Sequence, residues 1–502
     1  MRIQSCLNLL LSRAILSTLA VPTLFLSSAA LSATPSSAES SLAKRLESQI
    51  QNSGFKKGDV GIWVNEGDTA VYSWQPDKKF IPASTSKIPT AAAVLGILPP
   101  GLKFKTVFAA DGKNASVSKN GKISGGVLKG PLYLIGGGDP SFVSENMWFL
   151  VNELVRTGIT TVDGDLIVDD SRFDDIRFGE DRQSQRVDRA YDAPLGAMSL
   201  NWNAVTAWIR PGNKSGDPAE VSLDVMSPFL KLENKTKTTA GDKAIAIGVE
   251  RLASKDPLKG ETFLATGTIG ANQPEKAIYK SIRAPDMWAG NAAVTFLENH
   301  GIKVKGVVKN GVAPADRVIL ATAESKQLSL IVADMMKWSN NYVADMLVKN
   351  LSAEAGDRPA TTSKGLQRVR SHIEKIAGLK PGDYEFINGA GFTRENLLSP
   401  RQLSSILNAV RRDFRIFPEF LSALPIAGVD GTLRNRFKGL DSVGWVRAKS
   451  GLLNGAIGLA GFAGDDHGRV FTFVFLFNGS AGREDAARQL FDHMATTLVK
   501  SM

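Results

Sequence analysis

A chain of 502 residues has room for two or three domains with their own cores, and 43% hydrophobic with 22% charged residues is the balance of a soluble globular protein. The net charge of +10 is not gathered into basic runs interleaved with aromatics, which argues against nucleic acid as a partner. A mildly basic chain suits a polyanionic envelope surface, and solubility explains the charge equally well.

The first residues differ in kind from the rest. Arg2 and Arg13 precede an apolar run from Ala14 to Leu26, followed by the small residues Ser27 to Ala30. This is the layout of a secretory signal peptide, expected over residues 1–38, with Ser28–Ala30 and Ser36–Ala38 as alternative cleavage points. A retained anchor is the competing reading, although the run is short for a membrane span. The only cysteine, Cys6, lies inside this segment, so a mature chain has neither a disulfide nor a thiol nucleophile.

Beyond the Ser/Ala/Pro tract Ser32–Ser41, a helical period covers Leu42–Ile50. Val60–Val64 and Ala70–Trp74 read as strands joined by a turn at Asn65–Asp68. Pro82–Lys87 leads into an apolar run, Ile88–Leu98, that predicts a buried helix bent at Pro89. From Gly101 to Ala323 short strand-like runs alternate with Gly, Asn and Lys turns, so this stretch is expected to be mainly β. Met147–Arg156 and Ala289–Asn299 are its helical exceptions. Helical periods return at Leu328–Lys337, Ala344–Leu351, Gly365–Ile376 and Ser399–Val410. Trp445–Lys449, Gly455–Ala463 and Val470–Phe477 predict one antiparallel sheet, and Glu484–Lys500 a closing amphipathic helix.

Histidine chemistry is poorly supplied. The four histidines, His300, His372, His467 and His493, fall in no zinc-binding spacing, and no G-x-S-x-G elbow occurs. A serine nucleophile can instead use lysine. Ser84 and Lys87 are three apart, so on a helix they share a face, and Ser84 would open that helix near its unpaired N–H groups. Ser41/Lys44, Ser53/Lys56 and Ser116/Lys119 match the same spacing in more polar settings, and taken alone Ser84 reads equally well as an N-cap. Ser339-Asn340-Asn341 lies between two helical segments and offers a hydroxyl and an amide; alone it is a polar connection. Lys449-Ser450-Gly451 follows a strand-like run, where a cation and a hydroxyl could bind a carboxylate and glycine permits close backbone approach.

The order S-x-x-K, S-x-N, K-[ST]-G is more specific than any of its parts, being the signature of penicillin-recognising serine enzymes. Three further stretches carry the resemblance across the chain: Leu132–Phe142 (LYLIGGGDPSF), Asn388–Pro400 (NGAGFTRENLLSP) and Leu424–Arg434 (LPIAGVDGTLR). The sequence resembles the type-4 (class C) low-molecular-mass penicillin-binding proteins, peptidase family S13.

That resemblance implies an α/β (α+β) fold of the serine transpeptidase/β-lactamase kind, an antiparallel sheet with flanking helices. Residues 39–100 and 325–502 would form this catalytic domain. Residues 101–324 would be a large, mainly β insertion, two domains with one nested in the other. The implied reaction is hydrolysis of D-Ala-D-Ala bonds in peptidoglycan stem peptides or cross-links, with β-lactams as acylating inhibitors and no cofactor or metal. Ser84 would be the nucleophile, Lys87 its base and Ser339 the proton relay. Asn341 would hold the acyl side-chain amide, Lys449 and Ser450 the terminal carboxylate. Gly451 would allow close approach, and the N–H groups of Ser84 and Leu452 would form the oxyanion hole. The chain departs from the family pattern at Pro89, close behind the nucleophile, and at Ser450, where threonine is commoner. A periplasmic or otherwise exported location follows from the leader, with peripheral envelope association compatible with the charge. A β-lactamase or a non-catalytic wall-binding or scaffolding module are the competing functions.

Overall fold

The computed structural model describes residues 37–500 apart from residues 115, 119–120, 180–187 and 243–244. The expected leader, but for Ser37 and Ala38, lies outside the described residues. The first elements are α1 (Ser37–Asn52), β1 (Val60–Glu66), β2 (Thr69–Trp74) and α2 (Lys87–Ile97). A long stretch then runs through β3 (Lys105–Ala110), β4 (Val127–Lys129), β5 (Leu132–Ile135), α3 (Ser144–Val155), β6 (Thr161–Asp163) and β7 (Leu166–Asp169). It continues with β8 (Ala204–Arg210), β9 (Glu220–Asp224), β10 (Leu230–Thr239), β11 (Ala246–Arg251), β12 (Glu261–Gly270) and β13 (Lys276–Ser281). It closes with α4 (Pro285–Asn299), β14 (Lys303–Val304), β15 (Val308–Asn310) and β16 (Val318–Glu324). Helices α5 (Leu328–Lys337), α6 (Asn341–Glu354), α7 (Thr362–Ala377), α8 (Pro400–Arg412) and α9 (Phe417–Ala423) follow. The chain ends on β17 (Val446–Leu453), β18 (Ala456–Gly464), β19 (Val470–Asn478) and α10 (Glu484–Val499).

The two ends of the chain build one antiparallel sheet in the order β17-β18-β19-β1-β2. Its central strand β19 is apolar on both faces because both faces are covered, which erases the usual alternation of polar and apolar residues. Phe471, Phe473, Phe475 and Phe477 pack with α1 and α10, whereas Val474 and Leu476 join the core of α2 and α5 to α8. This is the expected architecture, an antiparallel sheet between helical layers.

Strands β3 to β16 hold four further sheets, the largest ordered β15-β7-β5-β3-β16. Its strands β3 and β16 pair antiparallel, with Lys105 opposite Glu324, so the stretch enters and leaves side by side. The Leu328 N–H donates to the Leu102 carbonyl at 2.8 Å just outside that pair. The stretch is nevertheless not a detachable appendage. Phe104, Phe173, Ala193, Leu195 and Ala197 are buried in the same core as α2 and α5 to α8. A polar seam runs beside them: buried Lys349 of α6 pairs with Asp174 and donates to the Ile176 carbonyl at 2.8 Å. Asn350 Nδ2 donates to the Gly138 carbonyl at 2.7 Å, and Arg172 pairs with Glu354. A glycine of Leu132–Phe142 serves this packing: a Cβ at Gly138 would lie 2.6 Å from Asn350 Oδ1.

Element boundaries shift in instructive places. Helix α2 runs unbroken through Pro89, which falls in the first turn, where no intrahelical N–H bond is required of it. Strand β17 runs on past Lys449 to Leu453 and turns only at Gly455, which has a φ of +71°. Helix α9 was not expected; Pro418 at its start reads as a breaker in sequence but suits a first helical turn.

Candidate active site

Ser84 lies on a 3-10 turn, Ala83–Ser86, that feeds α2, so it does not open the α-helix itself as expected; Ser86 holds that capping position. In a 3-10 turn, side chains three apart eclipse one another, which brings Ser84 Oγ to 3.4 Å from Lys87 Nζ. Ala83 precedes the serine with a φ of +48°, a left-handed conformation that costs a non-glycine residue energy and persists only where its surroundings over-determine it.

Two glycines supply that determination. A Cβ on Gly391, whose φ is +74°, would stand 2.1 Å from the Ala83 carbonyl oxygen. A Cβ on Gly451 of β17 would stand 2.8 Å from the Pro82 carbonyl oxygen and 3.1 Å from the Ser84 nitrogen. The serine turn is thus clamped between β17 and the Asn388–Pro400 segment. Since β17 is the edge strand of its sheet, it has backbone groups left to face that turn.

Lys87 is fully buried. Its Nζ donates to Asn341 Oδ1 at 2.7 Å and to the Ala390 carbonyl at 2.6 Å. Carbonyl oxygens can only accept, so Nζ is the donor in both contacts, and it stands between these two acceptors and Ser84 Oγ. Asn341 is the first residue of α6, whose N-cap, Asn340, accepts from the Val343 N–H at 3.1 Å. Ser339 before it has a φ of +56°.

Lys449 is likewise fully buried rather than an exposed strand residue. Its Nζ donates to Ser339 Oγ at 2.9 Å and to the Ser450 carbonyl at 2.6 Å. Burial holds its ammonium well below the ordinary lysine range, and the nearby Lys87 pushes the same way. Ser450 Oγ, partly accessible, donates to Thr432 Oγ1 at 2.8 Å. Leu452, half-exposed, completes the strand beside the serine turn.

Ser84, Lys87, Ser339, Asn341, Lys449, Ser450, Gly451 and Leu452 therefore meet in one place. The competing serines have local work instead. Ser53 Oγ donates to the Ile50 carbonyl at 2.6 Å and Ser116 Oγ to Asn114 Oδ1 at 2.6 Å.

Sequence reasoning did not single out three contributors. The Ala390 carbonyl that holds Lys87 is placed by Asn388, whose Oδ1 accepts from the N–H groups of Ala390, Gly391 and Phe392 at 3.0, 2.7 and 3.1 Å. Asn396, fully buried, ties that loop to Ser86 Oγ at 3.0 Å. Thr432 belongs to a turn whose Asp430 pairs with Lys337 at 2.6 Å. The family-like stretches Asn388–Pro400 and Leu424–Arg434 contain these residues, and that was their only signal.

The model of the D-Ala-D-Ala carboxypeptidase 3 (S13) family matches residues 42–500. The D-alanyl-D-alanine carboxypeptidase of Actinomadura sp. (strain R39) is 28% identical over 481 residues, 91% of this chain and 86% of that protein. Penicillin-binding protein 4 from Haemophilus influenzae superposes with a TM-score of 0.73 at 23% identity, covering 90% of this chain and 99% of that one. A second crystal structure of that protein, complexed with a β-lactam, gives a TM-score of 0.69 at 23% identity and covers 91% and 99%. The chain belongs to the D-Ala-D-Ala carboxypeptidase 3 (S13) family of serine peptidases.

Proposed function

We propose that this serine DD-peptidase uses Ser84 as nucleophile and Lys87 as general base on peptidoglycan stem peptides, through an acyl-enzyme. The observation that carries the assignment is the setting of Lys87, with two carbonyl acceptors at 2.7 and 2.6 Å and the serine oxygen at 3.4 Å. As Ser84 Oγ bonds to the carbonyl carbon of the penultimate D-alanine, its proton passes to Lys87 Nζ. The developing oxyanion lies between the N–H groups of Ser84 and Leu452. Ser339, hydrogen-bonded to Lys449, relays a proton to the departing D-alanine nitrogen. Water then releases the acyl group and restores Ser84.

Asn341 has its oxygen on Lys87 and so offers its NH₂ to the acyl side-chain amide. The terminal carboxylate meets the Ser450 and Thr432 hydroxyls, with buried Lys449 behind them. The same steps cleave a terminal D-alanine or a D-Ala cross-link, so carboxypeptidase and endopeptidase activity share this machinery. β-Lactams, one of which is bound by the Haemophilus structure above, would acylate Ser84. The catalytic unit comprises residues 39–100 and 325–502, with residues 101–324 inserted. Export through residues 1–38 brings the protein to its substrate; no helix among the described residues is long and apolar enough to cross a membrane.

The test is peptide mapping after reaction with penicillin. The adduct is expected on Ser84 and absent from Ser84→Ala. An adduct on another serine, or undiminished labelling of Ser84→Ala, would sink the assignment.

A further inference from the structure

Beside the Ser339–Asn341 connection lies a cleft of about 600 Å³, whose far wall comes from the inserted segments. Trp338, Trp202 and Tyr279 line it, and these rings are 64%, 45% and 57% exposed. Their display is built in. Asn201, Trp202 and Asn203 have successive φ values of +51°, +54° and +52°, three left-handed non-glycine residues in a row. Such strain persists only when held, and it concentrates at binding sites. Asn201 is held by the Ser144 N–H and Oγ, both at 2.9 Å, and Asn203 Nδ2 donates to the Pro194 carbonyl at 2.8 Å. The turn is fixed at both ends, and the tryptophan between them faces the cleft.

The β13-β8-β9 sheet extends the same surface. Thr206 of β8 stands opposite Tyr279 of β13 and Asp224 of β9, and all three line the cleft. Val205, Ala207 and Ile209 bury the opposite face. The solvent face of an antiparallel sheet is ordinarily polar. Here Trp208, two residues beyond Thr206 and 38% exposed, continues the row of rings past the cleft.

We propose that this aromatic track is a glycan subsite, which holds the peptidoglycan saccharide from which the stem peptide hangs. The proposal rests on the DD-peptidase reading for its substrate. A run of rings longer than one cavity suits a polymer better than a single side chain. Aromatic faces pack against the C–H faces of pyranose rings, and the carboxylates of Glu145 and Asp224 can accept from sugar hydroxyls. Among the described residues the cleft lining includes those two acids and no lysine or arginine, which favours a neutral saccharide over the carboxylate-bearing stem peptide.

The test compares kcat/KM for a disaccharide-linked pentapeptide and the same pentapeptide without sugar. The wild-type chain should prefer the linked substrate. Trp202→Ala and Tyr279→Ala should each reduce that kcat/KM about tenfold, as expected for loss of one stacked ring. Turnover of the free peptide and acylation by penicillin should stay within about twofold of wild type. Trp208→Ala, on a regular strand, tests the far end of the track if Trp202→Ala fails to fold. Equal use of both peptides by the wild-type chain overturns the proposal. So does Glu145→Gln lowering turnover of both peptides alike, which would mark a cation-binding peptide subsite. If wild type turns over neither peptide and penicillin leaves Ser84 unmodified, the DD-peptidase reading fails by itself. Calorimetry with an uncharged oligomer of N-acetylglucosamine then decides: binding weakened in Trp202→Ala supports the subsite, and no binding by wild type refutes it.

Discussion

Gly451→Ala isolates the claim that β17 positions the nucleophile. The added methyl would sit 2.8 Å from the Pro82 carbonyl oxygen, 3.1 Å from the Ser84 nitrogen and 3.2 Å from Ala83 Cβ. Ordinary contact begins at 3.4 Å, so the tightest of these is short by about 0.6 Å. Two of the three atoms are backbone, and no flexible side chain can swing aside. On the other side the turn meets Gly391, where a Cβ would already lie 2.1 Å from the Ala83 carbonyl oxygen, so it cannot retreat that way. Either β17 or the serine turn must therefore move by several tenths of an ångström. Overpacking of this kind costs about 1–3 kcal/mol of stability. A displacement of about 1 Å in reacting groups is worth about 100-fold in rate, so acylation should slow by about 10- to 100-fold. The assay is the rate of labelling by a fluorescent penicillin at several concentrations, with thermal denaturation of the same preparation. A folded Gly451→Ala protein that acylates within about twofold of wild type would refute the clamp.

Lys87→Arg should abolish acylation while the protein stays folded, because a guanidinium keeps its proton; near-normal labelling would remove Lys87 as the base. Lys449→Met should cost peptidase activity yet raise stability near neutral pH. The folded chain holds Lys449 below the ordinary value of 10.5, so the unfolded chain binds more protons and pays no such penalty. That penalty relaxes by up to about 1.4 kcal/mol per pH unit as pH rises toward the unfolded value. The advantage of Lys449→Met in denaturant titrations should therefore shrink between neutrality and pH ~10, and a pH-independent difference would contradict it. Lys349→Ala leaves Asp174, only 12% exposed, without its ammonium partner and should destabilise by about 3–5 kcal/mol in urea. A loss under about 1 kcal/mol would show that the seam between α6 and the segment carrying Asp174 contributes little.

Much of this protein was legible one segment at a time. Leu42, Leu46 and Ile50 recur at helical spacing on α1, and the paired runs at 60–64 and 70–74 are the hairpin β1–β2. Ser84 and Lys87 are three positions apart, so local geometry alone brings them close. The order of the three motifs pointed to one site because a single chemistry needs all of them, while the decoys Ser53 and Ser116 each have a local hydrogen bond. Other features belong to the tertiary structure, since they arise between residues far apart in the chain. Nothing near Lys449 in sequence announces its burial, which comes from β17 closing the sheet's edge against the serine turn. The Ala390 carbonyl looks like any backbone group until the Asn388 side chain folds its loop onto Lys87. Trp202, Tyr279 and Trp338 are scattered aromatics until the β13-β8-β9 sheet and the Ser339 connection line one cleft. Periodicity and motif spacing report contacts within a few residues; a cleft is made by surfaces that sequence distance does not relate.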